Sequence, residues 1–278
     1  MITRSFLLCV ALALWSGASS GVVESSRSPA EVSFARRACF LLYEIGKGEV
    51  RREPGSGCNM RITPGSTFKI PQALFALDAG VVSGPDELIA YDGTGNWPES
   101  SRRDHTLASA MHESVIWYTQ KLAERLGAER EQSYLVNIGY GNMDASGPLT
   151  RFWMGDSLAI SPEEQQTFLL RLYNDKLPLS HHAAELVRGM LVQPRDVIIN
   201  SQGKHKFDAP WPPDAVVSAK TASMSDLTGQ AVRWLVGHVK RGDRAYVFVS
   251  CVVGSPVTTS QNAAIDQAAK GLREAGVL

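Results

Sequence analysis

No sign of charge predominates in this chain. Across 278 residues, Lys plus Arg and Asp plus Glu number 28 each, for a net charge of zero. Without a basic surplus the chain has little with which to neutralise a nucleic-acid backbone or an anionic membrane, so a small, mostly uncharged ligand suits it better. Cysteine is scarce, at 4. That is too few for a disulfide framework, and no C-x-x-C pair or zinc-ligand spacing with the 6 histidines is present. Also missing are an internal repeat, a low-complexity tract and any apolar run of the roughly 20 residues that a bilayer span needs, the run near the start being too short. With 44% hydrophobic and 20% charged residues, the composition argues against disorder and fits one large globular domain or two modest ones.

The start of the chain has an address. Met1 to Arg4 carries one positive charge, Phe6 to Trp15 is almost wholly apolar, and Gly17-Ala18-Ser19-Ser20 offers small residues for cleavage. Residues 1–20 read as a secretory signal, leaving 21–278 as a single two-lobed domain in an oxidising compartment, expected to be a bacterial periplasm. Cys9 leaves with the signal; Cys39 and Cys58 can pair, and Cys251 reads as a buried free thiol.

Ala38–Ile45 and Glu49–Arg52 read as a hairpin around Gly46-Lys47-Gly48. Ala215–Ala222, Ala231–Lys240 and Ala245–Val253 read as three further strands, with Arg241-Gly242-Asp243 as the tight turn between the last two. Ser260 reads as the cap of a final helix whose Ile265, Ala268, Ala269 and Leu272 share a face and which stops at Gly276. Between these ends, helical periodicity runs through Ile70–Ala79, Leu107–Leu126 and Glu163–Tyr173. The expected fold is α+β: an antiparallel sheet built from both chain ends with flanking helices, plus an inserted helical lobe and a cleft between.

Ser66-Thr67-Phe68-Lys69 follows Pro64-Gly65 and opens an apolar helix, so Ser66 and Lys69 fall one turn apart on one face. A serine becomes a nucleophile when a base takes its proton, and a lysine serves as that base when burial lowers its pKa or its amine is converted. The spacing alone is weak, since Ser201-Gln202-Gly203-Lys204 repeats it by accident. Lys220-Thr221-Ala222 in a strand, Ser114-Val115-Ile116 on the apolar stripe of Leu107, Ala110, Met111 and Tyr118, and Tyr140-Gly141-Asn142, by itself a turn, supply the context. Ser161-Pro162-Glu163-Glu164 reads as a helix-capping box rather than a catalytic glutamate. His181-His182 with Glu185 lacks a third ligand, so no metal is assigned.

Taken in order with Phe152-Trp153, these elements resemble the class D serine β-lactamases, the oxacillinase family, over most of the mature chain. The resemblance implies that Ser66 is acylated by the lactam carbonyl and that Lys69, carrying a carbamate formed from carbon dioxide or bicarbonate (N6-carboxylysine), is the base. It implies that Trp153 supports the carbamate, that Ser114 relays a proton to the lactam nitrogen, and that Lys220 sustains that network and attracts the substrate carboxylate. Thr221 would bind that carboxylate, backbone N–H groups of Ser66 and Ser223 would form an oxyanion hole, and Ile116 and Met154 would gate water. The implied partners are small-molecule β-lactams, with no nucleic acid, no membrane after signal cleavage, no metal and no other cofactor, in a monomer or homodimer conferring antibiotic resistance. Three departures stand out. Ala222 replaces the Gly of K-T-G, with a methyl expected to crowd the substrate's path along the strand. The loop Phe152–Asp156 lacks the family's usual Gly placement. No Arg lies between Arg244 and Arg273 to bind the carboxylate, which leaves Arg233 on the neighbouring strand as a candidate. A penicillin-sensing receptor domain and a cell-wall transpeptidase or carboxypeptidase share the chemistry and are the competing readings.

Overall fold

The computed structural model describes residues 36–53 and 57–278; the proposed signal, residues 1–20, lies outside them. In chain order the strands are β1 (Arg37–Glu44), β2 (Gly48–Arg52), β3 (Leu88–Ile89), β4 (His105–Thr106), β5 (Val197–Asn200), β6 (Gly203–Lys206), β7 (Ala215–Ser225), β8 (Ala231–Arg241) and β9 (Arg244–Gly254). The helices are α1 (Lys69–Asp78), α2 (Leu107–His112), α3 (Ile116–Leu126), α4 (Ala128–Ile138), α5 (Pro162–Tyr173), α6 (His181–Met190) and α7 (Ala263–Glu274).

The main sheet is antiparallel with strand order β2-β1-β9-β8-β7, so both chain ends meet at its centre, where Cys39 faces Cys251 and Tyr43 faces Val247. Its central strands are apolar on both faces because both faces are covered. Cys39 and Leu41 join the core shared with the helical lobe, while Phe40 and Leu42 join the core under α7. Val232, Trp234 and Val236 likewise face the helical lobe and Leu235 and Val239 face α7, the period of two that a pleated strand imposes. The continuous apolar runs of β8 and β9 follow directly.

Ile265, Ala268, Ala269 and Leu272 of α7 are buried as its periodicity requires, but the helix starts two residues later than expected. Asn262 is the N-cap residue, and Ser260 instead accepts a hydrogen bond from the Asn262 N–H at 3.2 Å. The helical stripe expected over Leu107–Leu126 is also broken, into α2 and α3, at Glu113–Val115. Helices α4 and α6 and the hairpins β3–β4 and β5–β6 lie beyond what the sequence reading specified.

Ser161 and Glu164 form the expected capping box: the Ser161 hydroxyl accepts from the Glu164 N–H at 3.2 Å, and the Glu164 carboxylate accepts from the Ser161 N–H at 2.9 Å. Tyr140-Gly141-Asn142 organises the loop that follows α4. Gly141 has φ of +58° and a Cβ there would overlap the Ala159 carbonyl, while Asn142 donates to the Ser157 carbonyl at 2.8 Å and accepts from the Ala159 N–H at 3.0 Å.

Cys39 and Cys58 are joined in a disulfide, and Cys251 is free and buried. The bridge ties β1 to the segment leading into Ser66 across a sequence separation of 19. Closing a loop of that length restricts the unfolded chain by about 3 kcal/mol. A Cys39→Ala/Cys58→Ala variant is therefore expected to unfold at lower urea by about that free energy, measured by equilibrium denaturation.

Candidate active site

Ser66 sits on a single 3-10 turn, Gly65–Phe68, that runs straight into α1. Side chains three apart eclipse on such a turn, and Lys69 Nζ donates to Ser66 Oγ at 3.3 Å. The turn is held from several sides. Its N–H at Gly65 bonds the Trp153 carbonyl at 3.0 Å, a carbonyl that also accepts the Thr63 hydroxyl at 2.9 Å. Gln165 from α5 donates to the Thr67 hydroxyl at 2.8 Å, and Phe68 stacks on the buried Trp153 ring with centroids 5.3 Å apart. Gly65 has φ of +51°, and a Cβ there would lie 2.7 Å from Met224 Sδ and 3.3 Å from the Ala222 methyl. The Ala222 methyl, buried, thus lies against the turn that carries Ser66 and is accommodated there by a glycine.

Lys69 is buried with 4% of its surface exposed, and desolvation alone brings its amine down to about 7. Its surroundings include Ala73 of α1, Leu107, Ala110 and Met111 of α2, and Leu122 of α3. An ammonium there loses its hydration without gaining a counter-ion, so the neutral amine is favoured.

The break between α2 and α3 positions the next hydroxyl. Ser114 adopts φ of +61°, a left-handed conformation that is costly for a residue with a side chain, and the Val115 N–H rejoins the preceding turn through the Ala110 carbonyl at 2.9 Å. Lys220 from β7 donates to Ser114 Oγ at 3.0 Å and to the Thr221 carbonyl at 3.1 Å. Burial, and then the proximity of Lys69, push the Lys220 amine well below the usual lysine range. Two buried ammonium groups this close would repel each other without solvent to screen them.

Ser66 and Ser114 open onto a cleft whose wall also includes Ile116, Thr221, Ala222 and Ser223. Sequence reasoning missed Asn200, Ser201 and Gln202 at the tip of the β5–β6 hairpin, and Trp234 and Gln261 opposite. Trp234 is betrayed by nothing but its place in an apolar strand; its indole N–H bonds the Thr63 carbonyl at 3.0 Å. Ser201 thus reaches the cleft, but from a hairpin turn, away from the helix start that pairs Ser66 with Lys69. Met154 is half-buried against the helical-lobe core. Arg233 is not a cleft residue: it is 4% exposed and its guanidinium donates to the carbonyls of Met224, Val232 and Ser260.

A serine beside a lysine whose amine is brought down to about 7, with a second serine–lysine pair beside it at the edge strand of an antiparallel sheet, is an arrangement that suits a serine acyl-transfer enzyme. Residues 50–273 match the penicillin binding protein transpeptidase domain. The chain is 36% identical to a probable beta-lactamase, YbxI, of Bacillus subtilis, over 82% of this chain and 78% of that protein. It is 30% identical to the beta-lactamase OXA-1 of Escherichia coli, over 91% and 89%. A solved class D beta-lactamase from Bacillus subtilis superposes with a TM-score of 0.73 at 32% identity, covering 87% of this chain and 93% of that one. The chain belongs to the class D β-lactamases, a family of β-lactam hydrolases built on the penicillin-binding transpeptidase fold.

The depressed Lys69 amine has a consequence for stability. Between the native value near 7 and the ordinary 10.5, the unfolded chain carries a proton that the native state lacks, so stability rises with pH across that window. Each pH unit of depression is worth about 1.4 kcal/mol. Lys69→Met is expected to be more stable than the parent by a few such units of free energy at pH 7 and to lose that slope between pH 7 and 10, measured by urea denaturation at stepped pH.

Proposed function

We propose that this chain hydrolyses β-lactam antibiotics through a covalent acyl-enzyme on Ser66, and so confers resistance to them from the periplasm after removal of residues 1–20. The observation that carries the reading is the 3.3 Å contact between Ser66 Oγ and a buried Lys69 amine brought down to about 7. Ser66 Oγ adds to the lactam carbonyl as its proton leaves towards Lys69, and backbone N–H groups of Ser66 and Ser223 receive the developing oxyanion. The strained C–N bond breaks, and the proton released by Ser66 ends on the departing nitrogen, relayed through the Ser114 hydroxyl, whose oxygen accepts a hydrogen bond from Lys220. Water then adds to the ester carbonyl, Ser66 leaves with a proton, and the ring-opened acid is released. Thr221 and Ser223 face the substrate carboxylate, while Ile116 and Met154 limit the approach of water.

The Lys69 site fits a carbamate. Its amine is neutral, as reaction with carbon dioxide requires, and it is buried among the side chains of α1, α2 and α3. The carbamate would supply an oxygen base for both the Ser66 proton and that of the hydrolytic water. Trp153, stacked on Phe68 beside the nucleophile turn, is the residue to support it. A penicillin sensor would acylate and stop; a base able to serve both half-reactions favours turnover.

The test is hydrolysis of a chromogenic β-lactam by the mature protein, followed over many turnovers after carbon dioxide is removed and again after bicarbonate is restored. Turnover is expected to fall and recover, with the carbamate signal in 13C NMR growing as pH rises through about 7. Lys69→Ala is expected to abolish turnover at any bicarbonate concentration, and Trp153→Ala to accumulate acyl-enzyme detectable by mass spectrometry. A single stoichiometric burst in both bicarbonate conditions would make the protein a sensor or transpeptidase.

A further inference from the structure

Among the described residues lining the cleft, none is charged: the wall is built from hydroxyls, amides and apolar groups. β-Lactam antibiotics of the penicillin and cephalosporin type carry a carboxylate beside the lactam nitrogen, so this wall meets an anion. Arg233 is the cross-strand neighbour of Ser223, yet it is buried and holds three backbone carbonyls. One of those is Ser260, at 3.3 Å, the residue immediately before Gln261. Gln261 in turn reaches from the β9–α7 connection to the cleft, where its Oε1 accepts the Ser223 hydroxyl. Both side chains are exposed to solvent, within reach of a ligand.

We propose that Gln261, paired with Ser223 and backed by Arg233, is a specificity-determining residue that recognises the substrate carboxylate through neutral donors. The inference rests on the β-lactam reading above. The bond to Ser223 uses one end of a planar amide and leaves the Nε2 hydrogens to donate. A carboxylate arriving between Thr221 and Ser223 draws the Ser223 hydroxyl proton away from Gln261 and takes an amide N–H in addition. Arg233 acts only as a positioning residue, fixing the backbone from which Gln261 extends. Recognition by neutral donors differs from an ion pair in two observable ways. It responds weakly to ionic strength, because no long-range attraction is screened. It also separates a carboxylate from its neutral ester only by hydrogen bonds.

The experiment compares a chromogenic cephalosporin with its methyl ester, measuring KM and kcat at 20 and 500 mM NaCl for the parent protein, Gln261→Ala and Gln261→Arg. For the parent, KM for the acid is expected to change by less than about two-fold with salt. Gln261→Ala is expected to raise KM for the acid about ten-fold while KM for the ester moves by less than about two-fold, the loss of a hydrogen bond made only to the anion. Gln261→Arg is expected to lower KM for the acid and to make it salt-dependent, a gain that a merely structural glutamine would not permit. Equal effects of Gln261→Ala on acid and ester would overturn the proposal, as would a parent KM for the acid that rises steeply with salt. If the parent hydrolyses neither compound and mass spectrometry finds no adduct on Ser66, the β-lactam reading itself fails and this assignment with it; hydrolysis without the acid–ester split refutes the assignment alone.

Discussion

The desolvation of one amine governs this structure. Lys69 ends in a buried site that strips its hydration without supplying a counter-ion, and its amine is therefore brought down to about 7. To create that environment α1 is buried along almost its whole length, from Lys69 through Ala76, an unusual state for a helix in a domain of this size. Helices α2 and α3 then pack on one side of it, and the aromatic cluster of Phe68, Phe152 and Trp153 holds the turn before it. Burying that amine gives up stability that an exposed, charged lysine would keep, and it leaves the amine 3.3 Å from Ser66 Oγ.

A second constraint follows from the first. A second lysine, Lys220, is buried too, close enough to Lys69 for its own protonation to be depressed further. Lys220 comes from the sheet and Ser114 from the helical lobe, and their 3.0 Å contact ties the two lobes together across the cleft. The left-handed backbone at Ser114 is the local cost of that meeting. The strain falls where the hydroxyl meets Lys220, and a continuous helix would have turned that hydroxyl along its own stripe.

Much of this was legible in the residues and some was not. β8 and β9 announce themselves by apolar runs bounded by turns, and α7 by the spacing of Ile265, Ala268, Ala269 and Leu272, because burial dictates period. Ser66 with Lys69 was readable because a three-residue spacing is local. The split at Ser114 was not, since apolar periodicity continues on either side of it and only the tertiary contact with Lys220 explains the break. Arg233 shows the opposite failure. Its charge marked it as a ligand for an anion, and its burial on β8 turned it into a clamp for backbone carbonyls. Gln261 belongs to no motif and becomes conspicuous only when the β9–α7 connection folds beside Ser223.

The pairing of β1 with β9 bears on when the enzyme can exist. Tyr43 and Val247 are partners although some two hundred residues separate them, and such contacts close slowly because a long loop must be ordered before it is rewarded. Lys220 stands on β7, which reaches β1 only through β8 and β9. A growing chain that has already made Ser66 and Lys69 therefore still lacks the strands that complete their cleft. The cleft is complete only once β9 has joined the sheet, and a chain cut short before β9 carries Ser66 and Lys69 without the assembled strands that face them.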